Sequence, residues 1–272
     1  MPSTTALRLE GRDALPLLHR IGTQKLDDLT PGQVRATLFC DFRGRLLHRA
    51  IVGVTGDHAV WLFRDDAPGD ALAAFLDRHI FRDDVRIADR SAELHVHARP
   101  GGDGVTPGTL REVNGVPAAI QVDPDLVLVA GSAAAPAPDP RERVRAGRPT
   151  HGHEIVETFT PFEVGLAHEV HLDKGCYTGQ EVLMRLVTYR SVRRRLARIS
   201  GQGATPAVPI ELRAGGESAG ILTSAAADGD RWIGLAVLRN EVCEARPALE
   251  IPGHGTSEPP EPLPLTRALG RP

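Results

Sequence analysis

The chain has 272 residues, with 32 lysines and arginines against 35 aspartates and glutamates, so its formal net charge at pH 7 is −3. This near balance excludes a general nucleic-acid coat protein, and the lack of an apolar run of about 20 residues excludes a helical membrane span. The length predicts two or three domains.

Cysteine use and the first residues together predict where the protein works. Cys40, Cys176 and Cys243 are far apart and odd in number, so no disulfide framework is implied. Residues 1–5 lack the basic and then apolar layout of a secretory signal. We therefore expect a cytoplasmic protein.

Residues 7 to 21 predict a strand followed by a helix. Leu7 to Leu9 has strand character and ends at Gly11, and Asp13 is placed to cap the helix. Apolar residues then recur at helical spacing, at Ala14, Leu17, Leu18 and Ile21. This spacing predicts one packed face and one exposed face.

The next two β-rich runs, Val34 to Asp41 and Leu46 to Val54, predict a hairpin. Four residues join them, with glycine late in the connection. Three arginines lie at or near the tip: Arg43, Arg45 and Arg49. A solvated loop end is the ordinary explanation for such residues.

The middle of the chain predicts short elements and one linker. We expect strands at 58–63, 85–87, 94–96 and 126–129, and helices at 70–81 and 141–146. Residues 100–104 predict a turn or loose loop. The Ala- and Pro-rich segment 131–140 predicts a semi-rigid linker.

From Val192 onward, the pattern changes to short strands separated by Gly-rich turns. The strands are expected at 196–199, 210–212, 219–222, 232–238 and 249–251. Strands about ten residues apart favour a small barrel or a sandwich. We expect the proline-rich end, from Pro259, to be poorly ordered or held only by packing.

One stretch carries an unusual mixture of reactive groups: Lys174-Gly175-Cys176-Tyr177-Thr178-Gly179-Gln180-Glu181. Two glycines four apart disfavour a helix and predict a turn. If the stretch is extended at its start, Lys174 and Cys176 share a face, and the ammonium favours the nucleophilic thiolate. The alternative is that Cys176 is a small core residue.

This octet resembles the signature of folate-binding proteins of the YgfZ type, which are relatives of the aminomethyltransferase (T-protein) of the glycine cleavage system. Similar blocks are 11–14, 40–45, 81–85, 146–147, 152–155, 157, 160–166, 173–175, 181–186, 193–196 and 220–224. The resemblance covers essentially the whole chain, although residues 98–140 match only in character.

The resemblance implies a three-lobed α+β protein with antiparallel sheets, a ferredoxin-like lobe and a C-terminal small β-barrel. Its folate-binding core would comprise residues 1–46 and 141–190, with an inserted α+β lobe at 47–130, a linker at 131–140 and the barrel at 191–272. It also implies tetrahydrofolate binding in a central opening and support of assembly or repair of client iron–sulfur enzymes, with an indirect effect on tRNA modification.

Site residues follow from the same resemblance. Glu154 is the candidate carboxylate for two N–H groups of the pterin. Tyr177 and Gln180 are assigned to the folate pocket, and the glutamate tail to Arg185, Arg194 or the hairpin-tip arginines. We expect Cys176 and Lys174 beside the folate, acting on a partner's sulfur, iron or cluster intermediate.

Two positions depart from the T-protein pattern. His48 and Arg49 stand where T-proteins have a pair of aspartates, and a pair of cations cannot do the work of carboxylates. We therefore expect no glycine-cleavage aminomethyl transfer. Ser191 also replaces an expected glycine.

Other functions remain open. The chain could be a folate-dependent one-carbon transferase with Cys176 as nucleophile. It could instead be a tRNA-binding accessory protein that stacks a base on Tyr189 and contacts phosphates through Arg190, Arg193, Arg194, Arg195 and Arg198. The spacing of His151, His153, His168 and His171 is too loose to indicate a metal site, and we assign no metal.

Overall fold

The computed structural model describes residues 4–101, 106–123, 126–133 and 139–270. Its helices pack on antiparallel sheets, and three such sheets form within these ranges. The predicted combination of helices with antiparallel sheets is confirmed. Among the described helices, none is both long enough and apolar enough to cross a membrane.

The first sheet has five antiparallel strands in the order β2-β3-β4-β1-β5. They are β1 (Thr5–Glu10), β2 (Val34–Cys40), β3 (Leu46–Val54), β4 (Val60–Arg64) and β5 (Arg86–Asp89). The predicted hairpin is therefore present as β2 and β3. Two helices, α1 (Ala14–Ile21) and α2 (Asp70–Asp77), pack on one face of this sheet.

The two helices differ in how well the sequence predicts them. All four apolar positions predicted for α1 are buried. The predicted Asp13 cap is wrong, because that carboxylate accepts a hydrogen bond from the Asp84 N–H and none from the helix. Helix α2 ends at Asp77, four residues before the predicted end, so His79 lies outside it.

The second sheet has four strands in the order β6-β9-β8-β7 and packs on the opposite face of the first sheet. They are β6 (His95–Pro100), β7 (Thr109–Val113), β8 (Val116–Asp123) and β9 (Leu126–Gly131). Strands β7 and β8 were not predicted. Residues 102–104 of the predicted loop and 134–138 of the predicted linker lie outside the described residues.

The third sheet has seven strands in the order β15-β14-β11-β12-β13-β10-β16. They are β10 (Arg194–Gln202), β11 (Ile210–Ala214), β12 (Glu217–Asp228), β13 (Arg231–Arg239), β14 (Glu250–Ile251), β15 (Gly255–Thr256) and β16 (Glu261–Pro262), with helix α5 (Asn240–Ala245) after β13. All five strands predicted in this region are present.

The end of the chain is held by backbone hydrogen bonds. The Leu263 N–H donates to the Leu196 carbonyl at 3.0 Å, and the Leu269 N–H donates to the Val170 carbonyl at 2.7 Å. For the described part of this segment, residues 259–270, the expectation of poor order or attachment by packing alone is therefore wrong. The cause is edge pairing of β16 with β10, which the local sequence does not reveal.

A central core joins the first and third sheets. It contains helices α3 (Pro140–Arg145) and α4 (Gln180–Thr188) and the irregular segment between them, which includes a 3-10 turn at Ala167–Glu169. Leu46 of β3 and Leu235 of β13 contribute to the same buried cluster. The predicted lobes and their boundaries stay predictions. The boundary predicted between residues 46 and 47 falls at the start of β3, and this strand pairs with both β2 and β4 in one sheet.

Candidate functional site

The octet forms the predicted turn, but its start is not extended. Leu172 and Asp173 lie in a turn, Lys174 and Gly175 in a bend, and Gly175 has φ +106°. Lys174 is buried, whereas Cys176 is exposed. The face that these two side chains were expected to share is therefore absent.

Gly179 allows the octet to lie against the β2–β3 connection. Its φ is +82°, and a Cβ atom there would lie 2.5 Å from the Asp41 carbonyl oxygen and 3.0 Å from the Gly44 Cα. Only glycine fits such an approach without displacement. The start of α4 is thereby fixed against the hairpin tip.

Lys174 fastens the octet to helix α1. Its Nζ donates a hydrogen bond to the His19 carbonyl and lies 5.0 Å from the centre of the Tyr177 ring. The His19 ring in turn contacts the Lys174 carbonyl at 3.1 Å. Burial lowers the pKa of Lys174 to about 8, against the opposing charge of Asp27.

Four further residues predicted for the folate pocket lie in the octet (Tyr177 and Gln180), on α4 (Arg185) or on β10 (Arg194). The Gln180 amide donates to the Leu172 carbonyl at 2.7 Å, and Arg185 pairs with Glu181 on the exposed face of α4. Arg194 Nε donates to Glu163 at 2.7 Å. The Tyr177 hydroxyl is buried without a hydrogen-bond partner among the described residues, and burial raises the pKa of Tyr177.

Glu154, the predicted pterin ligand, is 0% exposed. One carboxylate oxygen accepts hydrogen bonds from the Thr150 N–H and Arg143, and the other accepts from the hydroxyls of Thr223 and Ser224. Glu154 thus joins α3 to strand β12. A ligand could reach this carboxylate only by displacing these donors.

Two neighbouring cavities lie away from the octet. The larger has a volume of about 700 Å³ and the smaller about 300 Å³, and Asp139, Arg143 and Arg148 line both. Within the described part of the chain, neither lining includes Lys174, Cys176, Tyr177, Gln180, Arg185, Arg194 or Glu154. The structure thus separates the predicted site residues from these two cavities.

Arg49 projects from β3 into the larger cavity. Its guanidinium makes a bidentate contact with Glu169, at 2.6 Å from Nη2 and 2.9 Å from Nε, and Glu169 is 2% exposed. Burial alone would lower the pKa of Arg49, but the charge of Glu169 raises it. Arg49 is therefore a fixed cation of the cavity wall.

The neighbouring His48 is not a cation at pH 7. Its ring packs on Phe75, with ring centres 5.2 Å apart. Burial, aided by the charge of Arg64, lowers the pKa of His48 to about 4. The expectation of a cation pair at His48 and Arg49 is therefore wrong.

Two carboxylates missed by the sequence analysis follow strand β4. Asp66 accepts hydrogen bonds from the Thr150 hydroxyl and the His151 N–H, both at 2.9 Å, and contacts the His151 ring at 2.9 Å. Asp65 lies 3.4 Å from Arg148. The sequence signal that could have identified them is a pair of adjacent aspartates directly after a largely apolar strand.

The two aspartates have opposite pKa shifts. Burial raises the pKa of Asp65, and the charge of Asp66 adds to this effect. Burial would also raise the pKa of Asp66, but its bonds to His151 hold it below its usual range. Both aspartates line the smaller cavity, at positions other than those of His48 and Arg49. The expected lack of aminomethyl transfer stays a prediction.

Comparison with known proteins bears on this fold. No protein-family model matches the chain. Glycine cleavage system aminomethyltransferase T from Bartonella henselae has a TM-score of 0.73 and 16% identity, and the alignment covers 98% of this chain and 86% of that one. This chain has the aminomethyltransferase fold.

A sequence relative is known for part of the chain. A chloroplastic protein of Arabidopsis thaliana, named "Putative transferase", is 32% identical over 105 residues. The match covers 36% of this chain and 23% of that protein's length.

The structure also bears on the metal site and the RNA-binding surface that the sequence analysis considered. No three His, Cys, Asp or Glu side chains converge as a metal site in the ranges that the structure describes. Three of the arginines considered for RNA binding have partners within the protein. Arg194 binds Glu163, Arg195 binds the Leu263 carbonyl, and Arg198 pairs with Glu261. Tyr189 is exposed.

Proposed function

We propose that this protein binds tetrahydrofolate across the two neighbouring cavities, which share Asp139, Arg143 and Arg148 in their linings. Their volumes, about 700 and 300 Å³, fall in the usual range for small-molecule sites. Folate has flat rings with one hydrogen-bonding edge and an anionic glutamate tail. It therefore needs apolar walls, a carboxylate with a nearby donor, and separate cations.

The observation that carries this proposal is the composition of the cavity lining. Apolar walls come from Val164, Leu166, Leu196 and Leu263. The larger cavity also has five arginines against three carboxylates: Arg49, Arg99, Arg143, Arg148 and Arg198 against Asp139, Glu142 and Glu169. The smaller cavity adds Asp65 and Asp66. These features are consistent with an anionic tail in the larger cavity.

Arg198 gives the clearest test of the glutamate tail. Its Nη1 lies 3.5 Å from Glu261, an exposed carboxylate that holds it only weakly. We expect Arg198→Ala to weaken tetrahydrofolate binding about 10-fold, because a charge-assisted hydrogen bond contributes about 1.5–3 kcal/mol. The matched control is Arg213→Ala, which removes an exposed arginine of the same sheet that pairs with Glu211.

The measurement is calorimetric titration with tetrahydrofolate and its polyglutamate form. Saturable binding that is weakened by Arg198→Ala and unchanged by Arg213→Ala supports the proposal. Absence of folate binding to the unaltered protein overturns it. Salt-dependent tRNA binding without folate would instead favour the RNA-binding alternative.

We also propose the role that the YgfZ resemblance implies, which is support of iron–sulfur assembly or repair in client enzymes. Cys176 is exposed, whereas Cys40 and Cys243 are buried and burial raises the pKa of both thiols. Cys176 is thus the thiol accessible to a client. The proposed contribution of Lys174 is to hold the turn that presents it.

This role can be tested in a cell that lacks the native gene. We expect both Cys176→Ala and Lys174→Ala to reduce the activity of iron–sulfur enzymes, while Cys243→Ala leaves it unchanged. Full rescue by Cys176→Ala would remove the thiol from the mechanism.

A second candidate is a folate-dependent one-carbon transferase. The specific observation in its favour is Asp65 at the smaller cavity, since a carboxylate can serve as a general acid or base. Steady-state formation of 5,10-methylenetetrahydrofolate from an aminomethyl donor would establish this activity.

A further inference from the structure

Asp65 and Arg148 face each other at the smaller cavity. Asp65 Oδ2 lies 3.4 Å from Arg148 Nη1, and the two side chains are 13% and 22% exposed. Arg148 Nη1 is buried and has no hydrogen-bond partner among the described residues. An unsatisfied buried donor is costly, so its position beside a cavity indicates a ligand acceptor.

The surrounding residues fix this pair in place. Asp66 is occupied by Thr150 and His151, which holds the end of β4. Arg143 donates to the Arg148 carbonyl at 2.9 Å and anchors the backbone that carries Arg148. No hydrogen bond from another described residue reaches the Asp65 carboxylate. The structure therefore presents one acceptor group and one donor group side by side.

This arrangement matches one edge of a heterocycle. A carboxylate accepts two adjacent N–H groups, and a guanidinium beside it donates to an adjacent carbonyl. The 2-amino-4-oxopyrimidine edge offers this order: an amino group, a ring N–H and a carbonyl. A separation of 3.4 Å between Asp65 and Arg148 suits two neighbouring groups on one ring, each bonded at about 2.9 Å.

We propose that Asp65 and Arg148 bind the 2-amino-4-oxo edge of the pteridine ring. The ring then lies in the smaller cavity and the glutamate tail in the larger one. This inference rests on the proposed folate binding and adds the orientation of the ligand. It also replaces Glu154 with Asp65 as the carboxylate that contacts the pterin.

The substitution Asp65→Asn tests the proposal through a change of preference. Asparagine keeps one acceptor for the ring N–H but presents an amide N–H₂ where the carboxylate accepted the 2-amino group. Lumazine carries a 2-oxo group at that position and can accept from this amide. We expect Asp65→Asn to lose about 10- to 100-fold in pterin affinity and to bind lumazine more tightly than pterin.

The assay is quenching of pteridine fluorescence, with melting temperatures measured in parallel. Asp77→Asn, an exposed aspartate at the end of α2, is the control and should retain the preference for pterin. Guanosine presents the same edge and is titrated by calorimetry. Guanosine binding without pterin binding would overturn the pteridine assignment.

Further outcomes separate this inference from the proposed function. Suppose that the unaltered protein binds tetrahydrofolate. If Asp65→Asn then still prefers pterin over lumazine, or is folded but loses pterin and lumazine binding equally, only the inference is wrong. If the unaltered protein binds no folate, both proposals fall. Should Asp65→Asn not fold, Asp65→Ser is measured, and its preference for pterin over lumazine is expected to vanish.

Discussion

Replacing Glu154 with alanine distinguishes a structural role of this carboxylate from a ligand-binding role. Alanine removes the acceptor of four donors at once, including the Ser224 hydroxyl at 2.7 Å and the Thr150 N–H at 3.2 Å. It also leaves Arg143 without its buried carboxylate partner. Breaking a buried ion pair on one side costs roughly 3–5 kcal/mol. Arg143 keeps its bonds to Ser224 and the Arg148 carbonyl, so we expect the lower end, about 3 kcal/mol.

The measurement combines urea unfolding with folate titration. Glu154→Gln keeps the shape and one oxygen but loses the charge, and we expect it to lower the free energy of unfolding by about 2 kcal/mol. Both variants should bind tetrahydrofolate within about threefold of the unaltered protein while folded, a change of less than 1 kcal/mol. An unchanged urea midpoint for Glu154→Gln, with a tenfold loss of affinity, would refute the reasoning and establish Glu154 as a folate ligand.

Two further predictions concern pH and the octet. The pKa of His48 is about 4 in the folded state and 6.5 ordinarily, so protonation of this ring favours the unfolded state. The free energy of unfolding should therefore be full above pH 6.5 and fall as the pH drops from 6.5 to 4. We expect a loss of about 2 kcal/mol, after allowance for the solvent that the ring retains. His48→Gln should lack this contribution, and parallel urea-stability curves would contradict the assignment. Gly179→Ala should lower the free energy of unfolding by more than about 2 kcal/mol, because the added Cβ would meet the Asp41 carbonyl. Gly175→Ala has open space around its Cβ, so it should lower the free energy of unfolding by only about 1 kcal/mol. Equal urea midpoints for these two variants would contradict the proposed packing of α4 on the hairpin.

Elements whose signals are local could be predicted from the sequence. The period of Ala14, Leu17, Leu18 and Ile21 identified α1, and the short glycine-containing connection identified the β2–β3 hairpin. Strands β7 and β8 were missed although Asn114 and Gly115, at φ +52° and +76°, are a strong hairpin signal between them. The attachment of the C-terminal segment depends on pairing with residues about 65 to 100 positions earlier, which local patterns cannot reveal.

The site was harder to predict than the fold, because side-chain direction and burial depend on distant residues. The glycines of the octet indicated a turn, but the left-handed conformation of Gly175 separates Lys174 from Cys176. The burial of Glu154 depends on hydroxyls about 70 residues later in the chain. Asp65 was missed because its position beside Arg148 depends on residues about 80 positions later in the chain.

The octet and the cavity are separate, yet a short chain of bonds connects them. The His171 N–H donates to the Thr23 carbonyl at 2.9 Å, and the Thr23 hydroxyl donates to the Glu169 carbonyl at 2.8 Å. Glu169 in turn holds Arg49 in the cavity wall. A ligand that draws Arg49 away from Glu169 would therefore perturb the backbone that leads into the octet. If folate binds in the cavity as proposed above, this path would link it to the segment that carries the exposed Cys176 thiol, which does not line the cavity.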